Sequence, residues 1–192
     1  GTLVFHLPFD EGAGEITFTD ASGNGNDGAC TDVSCPTAGV SGQVGTALQF
    51  DGSDDYVDVL NEDAFNPSSS FTVAAWVNMT GGSGHRSVLT SRDDSPQSGY
   101  MFYATPDDTW EFWVGIGHDW RMTGNAPVAY NTWTHLAGVY DDDNNTIRLY
   151  VNGQYFSDET AVWSFSRNQQ WPLRIGAGRS ELSSPPFDFY FP

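Results

Sequence analysis

Lysine is missing from this 192-residue chain, and all seven basic residues are arginines against 25 acidic ones. The net charge of −18 opposes any partnership with nucleic acid or an anionic lipid surface. It suits a chain that stays soluble outside a cell or in high salt, and it supplies oxygen atoms for cations. Long apolar runs are also lacking: no stretch approaches the roughly 20 apolar residues of a membrane span. Membrane insertion is therefore not expected. No charged-plus-apolar leader is present, so the sequence is expected to be a mature domain. Cysteine is limited to Cys30 and Cys35. That pair, with no histidine nearby, does not fit a zinc site. A small disulfide loop in an oxidising compartment is expected, with two free thiols as the alternative. No phosphate loop, nucleophile elbow or helical stretch of any length occurs.

What is present is an abundance of aromatic and β-branched residues in short runs between Gly, Asn and Asp. This is the composition of an all-β domain, and 192 residues suffice for one domain with a substantial core. Strands are predicted over 3–9, 43–52, 56–59, 71–79, 87–91, 100–105, 110–117, 121–125, 132–140, 146–151, 154–159 and 173–176. Pro8 marks a strand end. Residues 29–46 read as an irregular excursion and 92–99 as a polar loop. The PDDT stretch at 106–109 reads as a hairpin turn, and Asn152–Gly153 is a strong type I′ signal. In 71–77, Phe71, Val73, Ala75 and Val77 share one face, while Ala74 and Trp76 share the other. A dozen short strands with turns every 8–12 residues predict an antiparallel two-sheet β-sandwich rather than βαβ units.

Seven segments in order carry a resemblance. They are LVFHLPFDEGAG at 3–14, TDASGNGNDG at 19–28, ALQFDGSDDYVDV at 47–59, FTVAAWV at 71–77, WTHLAGVYD at 133–141, LYVNGQ at 149–154 and LRIGAG at 173–178. Together they resemble the laminin-G-like, concanavalin-A-like lectin/glucanase jelly-roll family, over nearly the whole of residues 1–192 as a single domain. The resemblance implies glycan binding or adhesion, or hydrolysis in other branches. It also implies core positions for Trp76, Trp133 and Tyr140. The family's last strand, which lies beside its first, should begin where this sequence stops after FDFYFP. That strand is expected either beyond this sequence or from another protein chain by strand addition. A structural subunit of an extracellular assembly is accordingly the alternative to a carbohydrate-recognising module.

The resemblance further implies a structural Ca²⁺ held by Asp20, Asn24, Asn26 and Asp51, in keeping with calcium's demand for six to eight oxygens. The plain alternative is an Asx turn at Asp20, and Asp54–Asp55 and Asp141–Asp143 read as solvated loops. Sugar binding needs flat aromatic faces with planar polar groups at the rim. The WEFWVGIGHDWR stretch at 110–121 supplies them. If Phe112, Val114 and Ile116 face inward, Glu111 and Trp113 face outward. The candidate ligand-binding residues are Arg92, Asp93, Trp113, His118, Trp120 and Arg121; the alternative is that Trp113 and Trp120 only pack under loops. The Glu-x-Asp-x-x-Glu pattern of the family's hydrolases is absent, and Asp58, Glu62 and Asp63 straddle a turn, so no catalytic residues are expected. His135 is expected to pack on a sheet. A glycan or cell-surface polysaccharide is the expected partner and the extracellular space the expected location.

Overall fold

The computed structural model describes residues 1–60, 63–160, 164–179 and 187–192. Among them are sixteen short strands: β1 (Thr17–Phe18), β2 (Gly28–Ala29), β3 (Thr37–Ser41), β4 (Thr46–Gln49), β5 (Val57–Val59), β6 (Phe71–Val77), β7 (Arg86–Asp94), β8 (Gln97–Ala104), β9 (Thr109–Gly115), β10 (Trp120–Pro127), β11 (Thr134–Asp141), β12 (Thr146–Val151), β13 (Gln154–Thr160), β14 (Leu173–Ile175), β15 (Gly178–Arg179) and β16 (Phe187–Asp188). Two single 3-10 turns lie at Asp32–Ser34 and Asp63–Phe65. All pairings are antiparallel. The large sheet runs β1-β2-β5-β14-β7-β8-β9-β10 and the small one β13-β12-β11-β6. β3 and β4 form a separate hairpin, as do β15 and β16.

Period-two alternation explains why the two sheets stack. Along β9, Trp110, Phe112 and Val114 are buried, while Glu111 and Trp113 are only half-buried. Along β11, Leu136 and Tyr140 are buried on one face, and His135, Ala137 and Val139 lie on the other. The inward faces share one core of Phe102, Trp110, Phe112, Val114, Leu136, Tyr140, Ile147 and Leu149. Each such side chain contributes ~1.5–3 kcal/mol by leaving water. Gly138 makes room for this contact: a Cβ there would stand 2.5 Å from the Phe112 ring. The sheets also meet at one edge, where Thr123 Oγ1 of β10 lies 2.8 Å from Ser157 Oγ of β13. Asn152 and Gly153 both have positive φ, as the expected two-residue turn between β12 and β13 requires.

The structure corrects several sequence expectations. Residues 3–9 join no strand ladder. Instead Phe5 and Leu7 pack against the core, and the Leu3 and Val4 carbonyls accept hydrogen bonds from the side-chain amides of Asn24 and Asn26. Phe9 has a φ of 57°, which ends the extended run. The excursion at 29–46 contains β3, and the loop at 92–99 is the turn of the β7–β8 hairpin. Polar side chains concealed both, because pairing is made by backbone groups. Trp76 is not a core residue. It is 46% exposed and its ring meets His135 at 5.1 Å on the outer face of the small sheet. The strand's own alternation put it there, against the resemblance. Trp133 is half-buried and Tyr140 fully buried. Among the described residues no helix is long and apolar enough to cross a membrane.

Candidate functional site: an aromatic pocket with a paired arginine

The outer face of the large sheet is covered rather than bare. Register places Asp58, Arg174, Thr90, Met101, Trp113 and Met122 in one outward row across β5, β14, β7, β8, β9 and β10. Met101, Tyr103 and Trp120 form a cluster separate from the main core, with Trp113 and Phe189 packed against it. His85 joins them, with ring centroids 5.3 Å from Tyr103 and 5.4 Å from Phe189. Phe189 is carried there by its own backbone, whose carbonyl accepts the Ser87 amide at 2.7 Å.

These residues and Arg92 line a cavity of about 160 Å³. The neighbouring row explains how Arg92 of β7 reaches Trp120 of β10. Three strand spacings separate them, about 14 Å. Gly99 stands opposite Arg92, and Gly115 opposite Trp120. No side chain rises between the two ends, and the two long side chains close the distance. The guanidinium carbon lies 5.3 Å from the Trp120 ring centroid. A Cβ at either glycine would collide with backbone: Ser91 O at 1.8 Å for Gly99, and Ser98 Cα at 2.5 Å for Gly115.

Arg92 is held by a bidentate pair with Asp94, at 2.8 Å from Nε and 2.7 Å from Nη2. Its Nη1 donates to the Tyr103 hydroxyl at 2.8 Å. Burial works against the charged guanidinium, but the Tyr103 and Asp94 oxygens outweigh it, and the pKa lies above its ordinary value. Trp113 is fixed similarly, its Nε1 donating to Glu111 Oε2 at 2.8 Å. The pocket thus offers aromatic edges and faces, one thioether and a neutralised cation. It can grip an apolar face or a methyl group and present oriented donors beside it.

Of the six residues expected to contact a ligand, the structure brings Arg92, Trp113 and Trp120 together. Asp93 follows Arg92 on the strand and so faces the other way. It is buried, and its Oδ1 accepts the Ser95 amide. Arg121 stands opposite Val114 on the inner-face side of the edge strand and pairs with Asp119 at 3.4 Å. His118 is exposed in the β9–β10 turn. Sequence reasoning missed His85, Met101, Tyr103 and Phe189. One signal was available: residues 100–104, YMFYA, are apolar at every position, so both faces of that strand had to be covered or used.

The acidic loops separate into two kinds. The Asp20 carboxylate accepts four hydrogen bonds, from His6 N and Ser22 N on Oδ1 and from Ser22 Oγ and Asn26 N on Oδ2. Burial pushes this carboxyl up, but the bonds from Ser22, Asn26 and His6 outweigh it and hold the pKa at about 2. A carboxylate has about four lone-pair sites, and in this structure four donors meet this one. As they stand, Asp20, Asn24 and Asn26 do the work of an Asx turn that ties down residues 3–6. Asp51 instead groups with Asp54 and Asp55, with one carboxylate oxygen of each lying within 4.8 Å of the other two. Burial pushes the Asp55 pKa up, the Asp51 amide offsets part of this, and the charges of Asp51 and Asp54 raise it again. A metal ion would relieve that repulsion, so this donor set fits a hard cation better than the Asp20 loop does. Cys30 and Cys35 are joined by a disulfide. Asp58 is engaged by Arg174 at 2.6 Å, and Glu62 lies outside the described residues.

Residues 51–191 match the model of the Concanavalin A-like lectin/glucanases superfamily (Laminin_G_3), and the chain belongs to this family. No curated protein matches the sequence at a significant level. Solved structures share the fold at low identity. The binding domain of Paraclostridial Mosquitocidal Protein 1 aligns with a TM-score of 0.70 at 16% identity, over 91% of this chain and 44% of that one. The binding domain of Botulinum neurotoxin DC in complex with rat synaptotagmin II gives 0.64 at 13%, over 91% and 46%. The Ruminococcus gnavus IT-sialidase CBM40 bound to alpha2,3 sialyllactose gives 0.51 at 13%, over 64% and 70%. The chain therefore spans less than half the length of those two toxin domains.

Proposed function

We propose that this chain is a non-catalytic, extracellular binding module that recognises a glycan through the pocket around Arg92, Trp113 and Trp120. The observation that carries this reading is the convergence of those three residues with His85, Met101 and Tyr103 on one covered sheet face. The sialyllactose complex of the related-fold CBM40 and the synaptotagmin II complex of the neurotoxin binding domain support a binding role on this architecture. Asp94 already neutralises Arg92, and the chain carries −18, so an uncharged sugar fits better than an acidic one. The cavity is smaller than the ~300 Å³ of ordinary ligand sites, so it would hold one C–H face or an N-acetyl methyl with the rest of the glycan outside. Affinity per module is then weak and is raised by multivalency. Calcium, held by Asp51, Asp54 and Asp55, would brace the loop before β5 and do no chemistry. The disulfide supports an oxidising, extracellular setting.

A glycan array probed with the wild type and with Trp113→Ala tests the reading. Retention of neutral or N-acetylated glycans, weakened about tenfold or more by the substitution, is expected. Absence of any glycan retention defeats it. The second reading is a surface-assembly subunit completed by a strand from another chain. It is favoured by the lack of a ladder along residues 3–9 and the exposure of Leu3 and Val4. Concentration-dependent polymers on size exclusion, together with no glycan retention, would select it.

A further inference from the structure

At one end of the sandwich the β5–β6 loop, the β11–β12 turn and residues 164–169 enclose an open groove of about 440 Å³. That volume lies within the ~300–1,000 Å³ of small-molecule sites. Asp142, Ser68, Ser164, Arg167 and Gln169 give it polar walls, and the half-buried Phe165 ring gives it one apolar surface.

The wall is built rigidly. Phe165 packs its ring 5.0 Å from Phe71 and 5.5 Å from Tyr140. Next to it, the Ser166 carbonyl accepts the Gly99 amide at 2.7 Å, and its amide donates to the Gly115 carbonyl at 2.8 Å. Asn168 is fully buried. Its Nδ2 donates to Ser91 Oγ and the Trp171 carbonyl, and its Oδ1 accepts the Gln170 and Trp171 amides. Ordering of residues 164–169 is thus completed before anything binds.

The groups facing the groove remain underused. Among the described residues, Arg167 meets only the Asn66 carbonyl at 3.5 Å and the Asp63 carboxylate at 3.9 Å. Asp142 accepts the Tyr140 hydroxyl on Oδ1 at 2.7 Å, which aims the carboxylate, and Oδ2 meets no side chain among the described residues. We propose that this groove is a second binding site, for an uncharged carbohydrate residue. A fixed carboxylate accepts two hydroxyl protons, guanidinium and amide groups donate to sugar oxygens, and a phenyl ring covers a C–H face. Asp142 within the groove and the charge of the whole chain select against carboxylates, sulfates and phosphates. The site stands apart from the aromatic pocket and does not depend on it.

Methyl glycosides of glucose, galactose and mannose serve as neutral probes, with sulfate and free sialic acid as anionic ones. Each is titrated into the ¹⁵N-labelled chain, followed at the backbone amides of Asp142, Arg167 and Gln169. At least one neutral glycoside should shift these amides saturably. Asp142→Asn, which keeps an acceptor for Tyr140, and Arg167→Ala should each weaken binding about tenfold or more. Trp113→Ala, on the other face, should leave this titration unchanged even where it abolishes glycan retention by the pocket. The proposal is overturned if no neutral glycoside moves these amides, if the anionic probes bind in preference, if Asp142→Asn binds as the wild type does, or if Trp113→Ala removes the shifts.

Discussion

Replacing Arg92 by methionine isolates the electrostatics of the aromatic pocket. Methionine keeps a stem of similar length beside Trp120 but removes the three hydrogen bonds to Asp94 and Tyr103. Arg92 and Asp94 have side chains only 14% and 11% exposed, so this ion pair belongs with buried ones rather than surface ones. Removing one partner of a buried pair costs about 3–5 kcal/mol, because the remaining charge stays desolvated. We take the lower end, about 3 kcal/mol, since both groups touch solvent; at ~2–4 °C per kcal/mol for a chain of this size, Tm falls by about 6–12 °C. The double variant Arg92→Met/Asp94→Leu removes both charges and should cost no more than about 1 kcal/mol. Urea unfolding of the wild type, both single variants and the double variant closes a mutant cycle, in which the double variant should cost far less than the two single variants together. A single Arg92→Met cost below about 1 kcal/mol, or a double variant no more stable than the single, would refute this account of the pocket.

Three further outcomes are expected. Gly138→Ala drives a methyl into the Phe112 ring and should cost about 1–3 kcal/mol in urea unfolding, while Gly81→Ala, with nothing near its Cβ, should be close to neutral. The Asp20 pKa is lowered from 3.8 to about 2, so its stabilisation is complete above the unfolded value and is lost as pH falls from about 4 towards 2. Across that window the wild type should lose more stability than Asp20→Asn, by about 1 kcal/mol after allowance for solvent screening. Calcium at a hundredfold excess over its Kd should stabilise the wild type by about 2.7 kcal/mol, and Asp55→Asn should abolish the effect. An unchanged wild-type Tm with calcium and with chelator removes the calcium proposal.

Much of the architecture was legible because alternation is a local property. The faces of 71–77 and 110–117 follow from residue spacing alone, and Asn152–Gly153 names its own turn. Residues 3–9 were misread because alternation reports amphipathicity, whereas a strand also needs a neighbour. There the Asn24 and Asn26 amides take the carbonyls that a ladder would have used. The pocket was half legible. Trp113, Trp120 and Arg92 were recognisable by type, but their meeting depends on the order of β7 to β10 and on two glycines lying between them. Arg92 and Asp93 were read as parts of one polar loop, yet both lie on β7, where neighbours point to opposite sides. His85 and Phe189 come from segments with no periodic signal, and only the fold delivers them.

The backbone of Ser166 has a consequence for how two sugars would share this molecule. Its carbonyl and amide hold Gly99 and Gly115, the glycines opposite Arg92 and Trp120, while its neighbours shape the groove. Two occupants would press on a common girder. Whatever factor the first imposes on the second's affinity, the second must impose on the first.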